Sequence, residues 1–320
     1  NFSGICLPGI QCHEWIIKMN DTPIDFFIVG AAKCGTSAMQ DYLSQHSDIY
    51  MPVLKEIHHF SPDLLAPDDP QINPANYFTL FKNSKTEQCV GEASVFYMLS
   101  ELAADNIKTH NPKAKIIIML RHPVDMMYSL HSQLLFNGEE TIPDFETALE
   151  AEPLRKEGKK LPSQTRIQKK HLYREVASYH KQVTRFIDEF GASQVLVLFY
   201  DDFKRDTLSS YKRVLKFLGV RADFVPKIAV VNANKTVKNP KFQVLLRRFS
   251  NSMPGRLVKW VLPSKKIRRR IREKLQRLNS SSVKRQPLPK KLRATLCEEM
   301  LPEVEKLEKL LNVNLKHWKS

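Results

Sequence analysis

Residues 25–37, Asp25-Phe-Phe-Ile-Val-Gly30-Ala-Ala-Lys33-Cys-Gly35-Thr-Ser37, constrain the fold more than any other stretch of this chain. The apolar run from Phe26 to Val29 breaks at Gly30 into a short loop. A helical pattern (Met39, Tyr42, Leu43, His46) follows Thr36 and Ser37. Strand, tight loop and helix in that order make a phosphate cradle, because backbone N–H groups and the helix N-terminus point at one spot and favour an anion there. Lys33 adds a positive charge, and Thr36 and Ser37 add hydroxyl donors. The chain reads as a binder of a phosphorylated small molecule.

The loop is not a Walker A loop. That motif places its Lys directly after the second Gly, whereas here Lys33 precedes Gly35 by two positions. A Walker-type NTPase also needs an acid after another buried strand to hold Mg²⁺. The best such strand, Lys115-Ile-Ile-Ile-Met-Leu120, runs into Arg121-His-Pro123, so a cation stands in the acid's place. The site is expected to hold anionic groups with protein cations and no metal. A P-loop small-molecule kinase is the enzyme alternative, and an anion- or polysaccharide-binding protein without catalysis is the other.

Strand and helix patterns alternate along the chain, which predicts an α/β fold with a parallel central sheet flanked by helices. Strands are expected at 25–30, 48–52, 88–92, 115–120 and 194–200. Helices are expected at 37–46, 74–81, 99–109, 124–135, 172–190, 207–218 and 289–311, the last despite Pro302. The polar segment 138–170 reads as an insertion or lid with one helix, 143–157. Gly30, Glu92 and Arg121 fall at predicted strand ends, and Lys55 and Glu56 follow one. Ligands of such sheets lie beyond the carboxyl ends of the strands.

The 320 residues are 42% hydrophobic, which suits one α/β domain with appendages. No run approaches the ~20 apolar residues of a membrane helix. Residues 1–22 read as a leader or appended segment, with Met19 as a candidate start. Five cysteines (6, 12, 34, 89, 297) are odd in number and scattered. A disulfide framework is not expected, and a reducing, cytoplasmic compartment is; the Golgi lumen is the alternative if a membrane anchor has been removed. Cys34 reads as a small residue that fits the loop, with a redox-sensitive thiol as its second reading. The net charge of +16 is local: residues 235–293 hold 20 Lys/Arg against one acid, Glu273, and the rest of the chain is slightly acidic. Ile267, Ile271, Leu275 and Leu278 form one helical stripe inside that basic segment. An anionic polysaccharide or a membrane surface suits it. No base-reading motif accompanies it, so nucleic acid is not the expected partner.

Several segments together carry a family resemblance. Lys33-Cys-Gly-Thr-Ser37 resembles the 5′-phosphosulfate loop of sulfotransferases that use 3′-phosphoadenosine 5′-phosphosulfate (PAPS). Arg121 to Ser129, an Arg after a strand and a Ser eight residues on, resembles their 3′-phosphate motif. Lys55-Glu-Ile-His58-His-Phe60 is similar to a segment of the heparan-sulfate-type, carbohydrate branch. Val90-Gly-Glu-Ala-Ser94, Val197-Leu-Phe-Tyr-Asp-Asp202 and Leu315 with Trp318 also fit. The likeness runs from about residue 24 to the C-terminus and is weak over 138–170 and 250–290.

The resemblance implies a P-loop-like, three-layer sulfotransferase domain over 23–320. It implies PAPS as donor, PAP as product, and a hydroxyl or amine of a carbohydrate-like acceptor. Lys33 is then expected to stabilise charge on the leaving phosphate. Cys34, Gly35, Thr36 and Ser37 form the 5′-phosphate loop, and Arg121 with Ser129 binds the 3′-phosphate. Glu56 is the expected general base, with His58 as its partner or as the base itself. Lys238 and Lys241 lie in a segment resembling the family's nucleotide-closing loop, though the family usually has Arg where Lys238 stands. Glu92 and Ser94 are expected to shape the site.

Overall fold

The computed structural model describes residues 23–70, 72–85, 88–162, 165–228, 236–237, 280–281 and 286–319. Residues 1–22, Lys238, Lys241, the 263–278 stripe and most of the basic segment lie outside the described residues. Along the chain, β1 (Phe26–Gly30) leads into α1 (Thr36–Leu43), then β2 (Ile49–Tyr50), α2 (Pro74–Phe78) and β3 (Cys89–Ala93). Next come α3 (Ala103–His110), β4 (Lys115–Leu120), α4 (Pro123–Asn137), α5 (Phe145–Glu150) and α6 (Glu152–Lys156). The chain continues through α7 (Tyr173–Ala177), α8 (Tyr179–Phe190), β5 (Val195–Phe199), α9 (Tyr200–Arg205) and α10 (Thr207–Leu218). Two short strands, β6 (Thr236–Val237) and β7 (Ser280–Ser281), pair antiparallel, and α11 (Lys290–Leu311) follows.

The chain divides into two units. The first holds the described residues of Asn1–His122, Ser178–Ala229 and Glu303–Asn314. Its core is a five-stranded sheet in the order β2-β3-β1-β4-β5, with every pairing parallel. β1 and β4 carry long apolar runs because both faces of the sheet are covered. Phe26 to Val29 and Ile116 to Leu120 are fully buried. Gly91 lies opposite Phe26 in the ladder, and a Cβ there would stand 2.1 Å from the Phe26 ring. Successive strands are added on one side of β1 up to β3 and on its other side from β4, so the topological switch point of the sheet lies at the end of β1.

The second unit holds the described residues of Pro123–Ala177, Val230–Pro302 and Leu315–Ser320. Pro123 starts α4 at a position that needs no N–H donor. A buried ion pair, Arg155 to Glu140 at 2.9 Å, ties α6 to the turn after α4, and the Tyr173 hydroxyl donates to the same carboxylate at 2.6 Å.

Two of the expected helices are broken into two. The single helix expected over 143–157 breaks at Ala151: Pro153, in the first turn of α6, has no N–H to continue the ladder. The long helix expected over 172–190 breaks at Ser178, whose backbone (φ −78, ψ 74) is not helical. The helix expected over 289–311 forms and carries Pro302 in its interior.

Candidate functional site

The loop between β1 and α1 turns on two left-handed residues, Lys33 at φ 64 and Gly35 at φ 92. Gly35 is the residue before α1, and no side chain caps the N–H groups there. Its Cα is approached closely by α9, since a Cβ would lie 3.1 Å from the Phe203 ring and 3.2 Å from that of Tyr200. The first turn of α1 holds no acid. The Ala31 N–H donates to Met119 O at 2.7 Å, which fixes the loop to β4. Lys33 is half-buried, Thr36 is buried and Ser37 is half-buried.

Cys34 turns inward. It is fully buried, and its Sγ donates to Ala32 O at 3.3 Å. Burial pushes the thiol up to about 12, against the lowering influence of Arg121 and Lys33. The second reading of Cys34, a low-pKa redox thiol, is therefore corrected: a thiolate is disfavoured where no water reaches it.

Lys55, Glu56 and His58 sit beside this loop. The Lys55 Nζ donates to Ser37 Oγ at 2.5 Å and lies 3.4 Å from Glu56 Oε1. Glu56 Oε2 lies 3.2 Å from His58 Nε2 and accepts from the Val95 N–H at 3.1 Å. Burial favours the neutral acid at Glu56, but the hydrogen bond and charge of His58, the charge of Lys55 and the Val95 N–H outweigh it. The net effect holds the carboxyl below its usual range. The Glu56 side chain is 32% exposed and that of His58 only 3%.

Arg121 follows β4, half-buried, with its guanidinium 4.9 Å from the centre of the Tyr200 ring. Ser129 lies buried on α4, in the second unit. The structure thus brings Lys33, Gly35, Thr36, Ser37, Glu56, His58 and Arg121 to one end of the first unit's sheet. Sequence reading missed two partners. The Lys55 bridge to Ser37 left no signal beyond a Lys next to the Glu. The Tyr200 ring under Arg121 lay inside a quoted motif, without an assigned role.

A parallel sheet with a glycine-containing loop between its central strand and the next helix, and an arginine after the neighbouring strand, defines an α/β protein of three layers. Residues 23–246 match the sulfotransferase domain family, and the chain belongs to that family. The fold is similar to the crystal structure of a sulfotransferase from Alicyclobacillus acidocaldarius, with a TM-score of 0.69 and 30% identity over 93% of this chain and 100% of that one. A bifunctional heparan sulfate N-deacetylase/N-sulfotransferase 1 from Xenopus tropicalis is 28% identical over 210 residues, 60% of this chain and 22% of that protein. The membrane-associated sulfotransferase kil1 from Dictyostelium discoideum is 29% identical over 105 residues, 33% of this chain and 22% of that protein. The chain spans about a fifth of the length of these curated relatives. No helix among the described residues is long and apolar enough to cross a membrane.

Proposed function

We propose that this protein transfers a sulfuryl group from PAPS to a hydroxyl or amine of a carbohydrate-like acceptor. The observation that carries the proposal is the Lys55 ammonium, which touches the phosphate-loop hydroxyl of Ser37 and the Glu56 carboxylate at once. One side chain thereby couples the donor loop to a base. The family match and the likeness to a heparan sulfate N-sulfotransferase support the reaction and the acceptor class.

The residues fit the donor. Gly35 leaves the α1 N-terminus open to an anion, Lys33 supplies charge, and no acid in the first turn repels it. PAPS supplies the sulfuryl group and leaves as PAP. Lys33, Thr36, Ser37 and the loop N–H groups hold the 5′-phosphate and stabilise the charge that grows there as the S–O bond breaks. Arg121 is the proposed 3′-phosphate clamp, and the family motif assigns Ser129 to the same phosphate. Glu56 is the proposed base: it is ionised and exposed enough to reach an acceptor, whereas His58 is buried and faces Glu56. His58 then orients Glu56. The basic segment 235–293 is the proposed contact for an anionic acceptor or a membrane surface, and Lys238 and Lys241 within it are proposed for the loop that closes over the nucleotide.

The test is Glu56→Gln, assayed by PAPS turnover and by calorimetric binding of PAP in EDTA. Turnover should fall by about 10²–10⁴-fold, as for loss of a general base, with PAP affinity unchanged. Retained turnover would move the base elsewhere. Absence of PAP binding to the folded wild type would instead direct the search to Mg²⁺ and ATP.

A further inference from the structure

The backbone that carries Glu56 and His58 is unusual. Glu56 has φ 57 and His58 has φ 62, both left-handed, with Ile57 between them. Such residues persist only where the surroundings over-determine them. Here the hold comes from three consecutive residues at the exit of β3. Ala93 O accepts from the Glu56 N–H at 3.0 Å, Ser94 Oγ accepts from the His58 N–H at 3.0 Å, and the Val95 N–H donates to Glu56 Oε2 at 3.1 Å. Two of these bonds involve main chain on both residues or a fixed carboxylate. The third depends on a hydroxyl that could rotate.

What fixes that hydroxyl is Glu92. Its side chain is fully buried in the sheet's interior, opposite Phe27 of β1. Its Oε1 accepts a short hydrogen bond from Ser94 Oγ, which leaves the hydroxyl's lone pairs facing the His58 N–H. Its Oε2 accepts from Tyr97 at 2.7 Å and from Tyr77 at 3.2 Å. The Tyr97 hydroxyl in turn receives the Phe60 N–H at 3.4 Å, and Tyr77 stacks on His59 at 4.2 Å. One buried carboxyl therefore reaches the segment 58–60 by three routes.

We propose that Glu92 is a positioning residue that acts through Ser94 and Tyr97 to hold the Glu56–His58 loop in its left-handed form and so aim the Glu56 carboxylate. Glu92 touches no acceptor and no donor in this scheme. It rests on the sulfotransferase reading only for the meaning of Glu56 as a base; the mechanical claim stands apart. The groups facing Glu92 are Ser94, Tyr97 and Tyr77 by hydrogen bond and Glu56 by charge. Burial pushes the carboxyl up to about 7, with the three hydroxyl donors pulling it back and the Glu56 charge adding to the rise. The ionised carboxylate is acceptor-only and takes all three hydroxyl donors.

The experiment compares Ser94→Ala and Glu92→Gln with the wild type by amide hydrogen exchange and by kinetics. Exchange across 56–60 should quicken by about tenfold in both variants, the loss expected of one buried hydrogen bond, while 26–43 keeps its protection. The kcat should fall by about tenfold or more with the acceptor KM and the PAP affinity within about twofold, as for a misaimed base. Ser94→Ala should add nothing further in a Glu56→Gln background. Unchanged exchange over 56–60, or an equal rise throughout 23–122, overturns the positioning role. A wild type that never turns over PAPS overturns the sulfotransferase reading, and the exchange result still decides whether Glu92 holds the loop.

Discussion

An arginine clamp works best when its plane is fixed before the phosphate arrives. Arg121 lies over the Tyr200 ring at 4.9 Å, so the guanidinium is oriented by an aromatic face. Lysine could keep the charge but neither the fork nor the stack. Tyr200→Leu should therefore weaken PAP binding by about twofold to thirtyfold, the range for a cation–π contact, with the far-UV spectrum and folding midpoint nearly unchanged. Calorimetry of PAP binding reads this directly; equal affinity would mean that Arg121 is held by other groups. The same scale separates Glu56 from its neighbour. The two side chains meet at 3.2 Å, and only Glu56 keeps substantial exposure.

At the scale of elements, the packing of β3 on β1 is set by Gly91. A methyl group there would stand 2.1 Å from the tip of the Phe26 ring, so the ring or the strand must shift. Gly91→Ala should cost about 1–3 kcal/mol, as overpacking does, and Phe26→Leu in the same chain should recover part of it. Urea denaturation midpoints of the single and double variants check this. The elements themselves were largely legible in the sequence. Phe26 to Val29 and Ile116 to Leu120 are unbroken apolar runs, the mark of strands buried on both faces. The phosphate loop was legible because Gly30, Lys33 and Gly35 sit at fixed spacing between a strand and a helix. The break at Ala151 had a signal, Pro153, that a helix-period pattern across 143–157 concealed. The break at Ser178 had none, because the apolar stripe continues in phase through a non-helical residue. The Glu92 network was not legible either: its members, Glu92, Ser94, Tyr97 and Tyr77, meet only once β3 is folded, and Tyr77 comes from α2. The Lys55 bridge likewise joins residues 18 positions apart, with no periodicity to announce it.

Across the whole molecule, buried titratable groups set how stability responds to pH, and they pull in opposite directions. Glu92 is raised to about 7 by burial, so between its ordinary value of 4.5 and about 7 the folded protein keeps a proton that the unfolded chain has lost. Its contribution is full at low pH and is lost as pH rises through that window. His110 and His171 are both pushed down to about 4, chiefly by burial, so they stay neutral in the folded protein where the unfolded chain protonates. Their contribution is full above 6.5 and is lost as pH falls toward 4. Between 4.5 and 6.5 the histidines raise stability with pH while Glu92 opposes them. Glu92→Gln removes the opposing group. The variant's unfolding free energy should therefore rise more steeply with pH than the wild type's, by up to about 1.4 kcal/mol per pH unit, the value for one proton. Urea denaturation of both proteins at half-unit steps from pH 4.5 to 7.5 measures the difference. Parallel curves would mean that Glu92 titrates at an ordinary carboxyl value, and that the buried network carries a permanent negative charge which its three hydroxyl donors alone sustain.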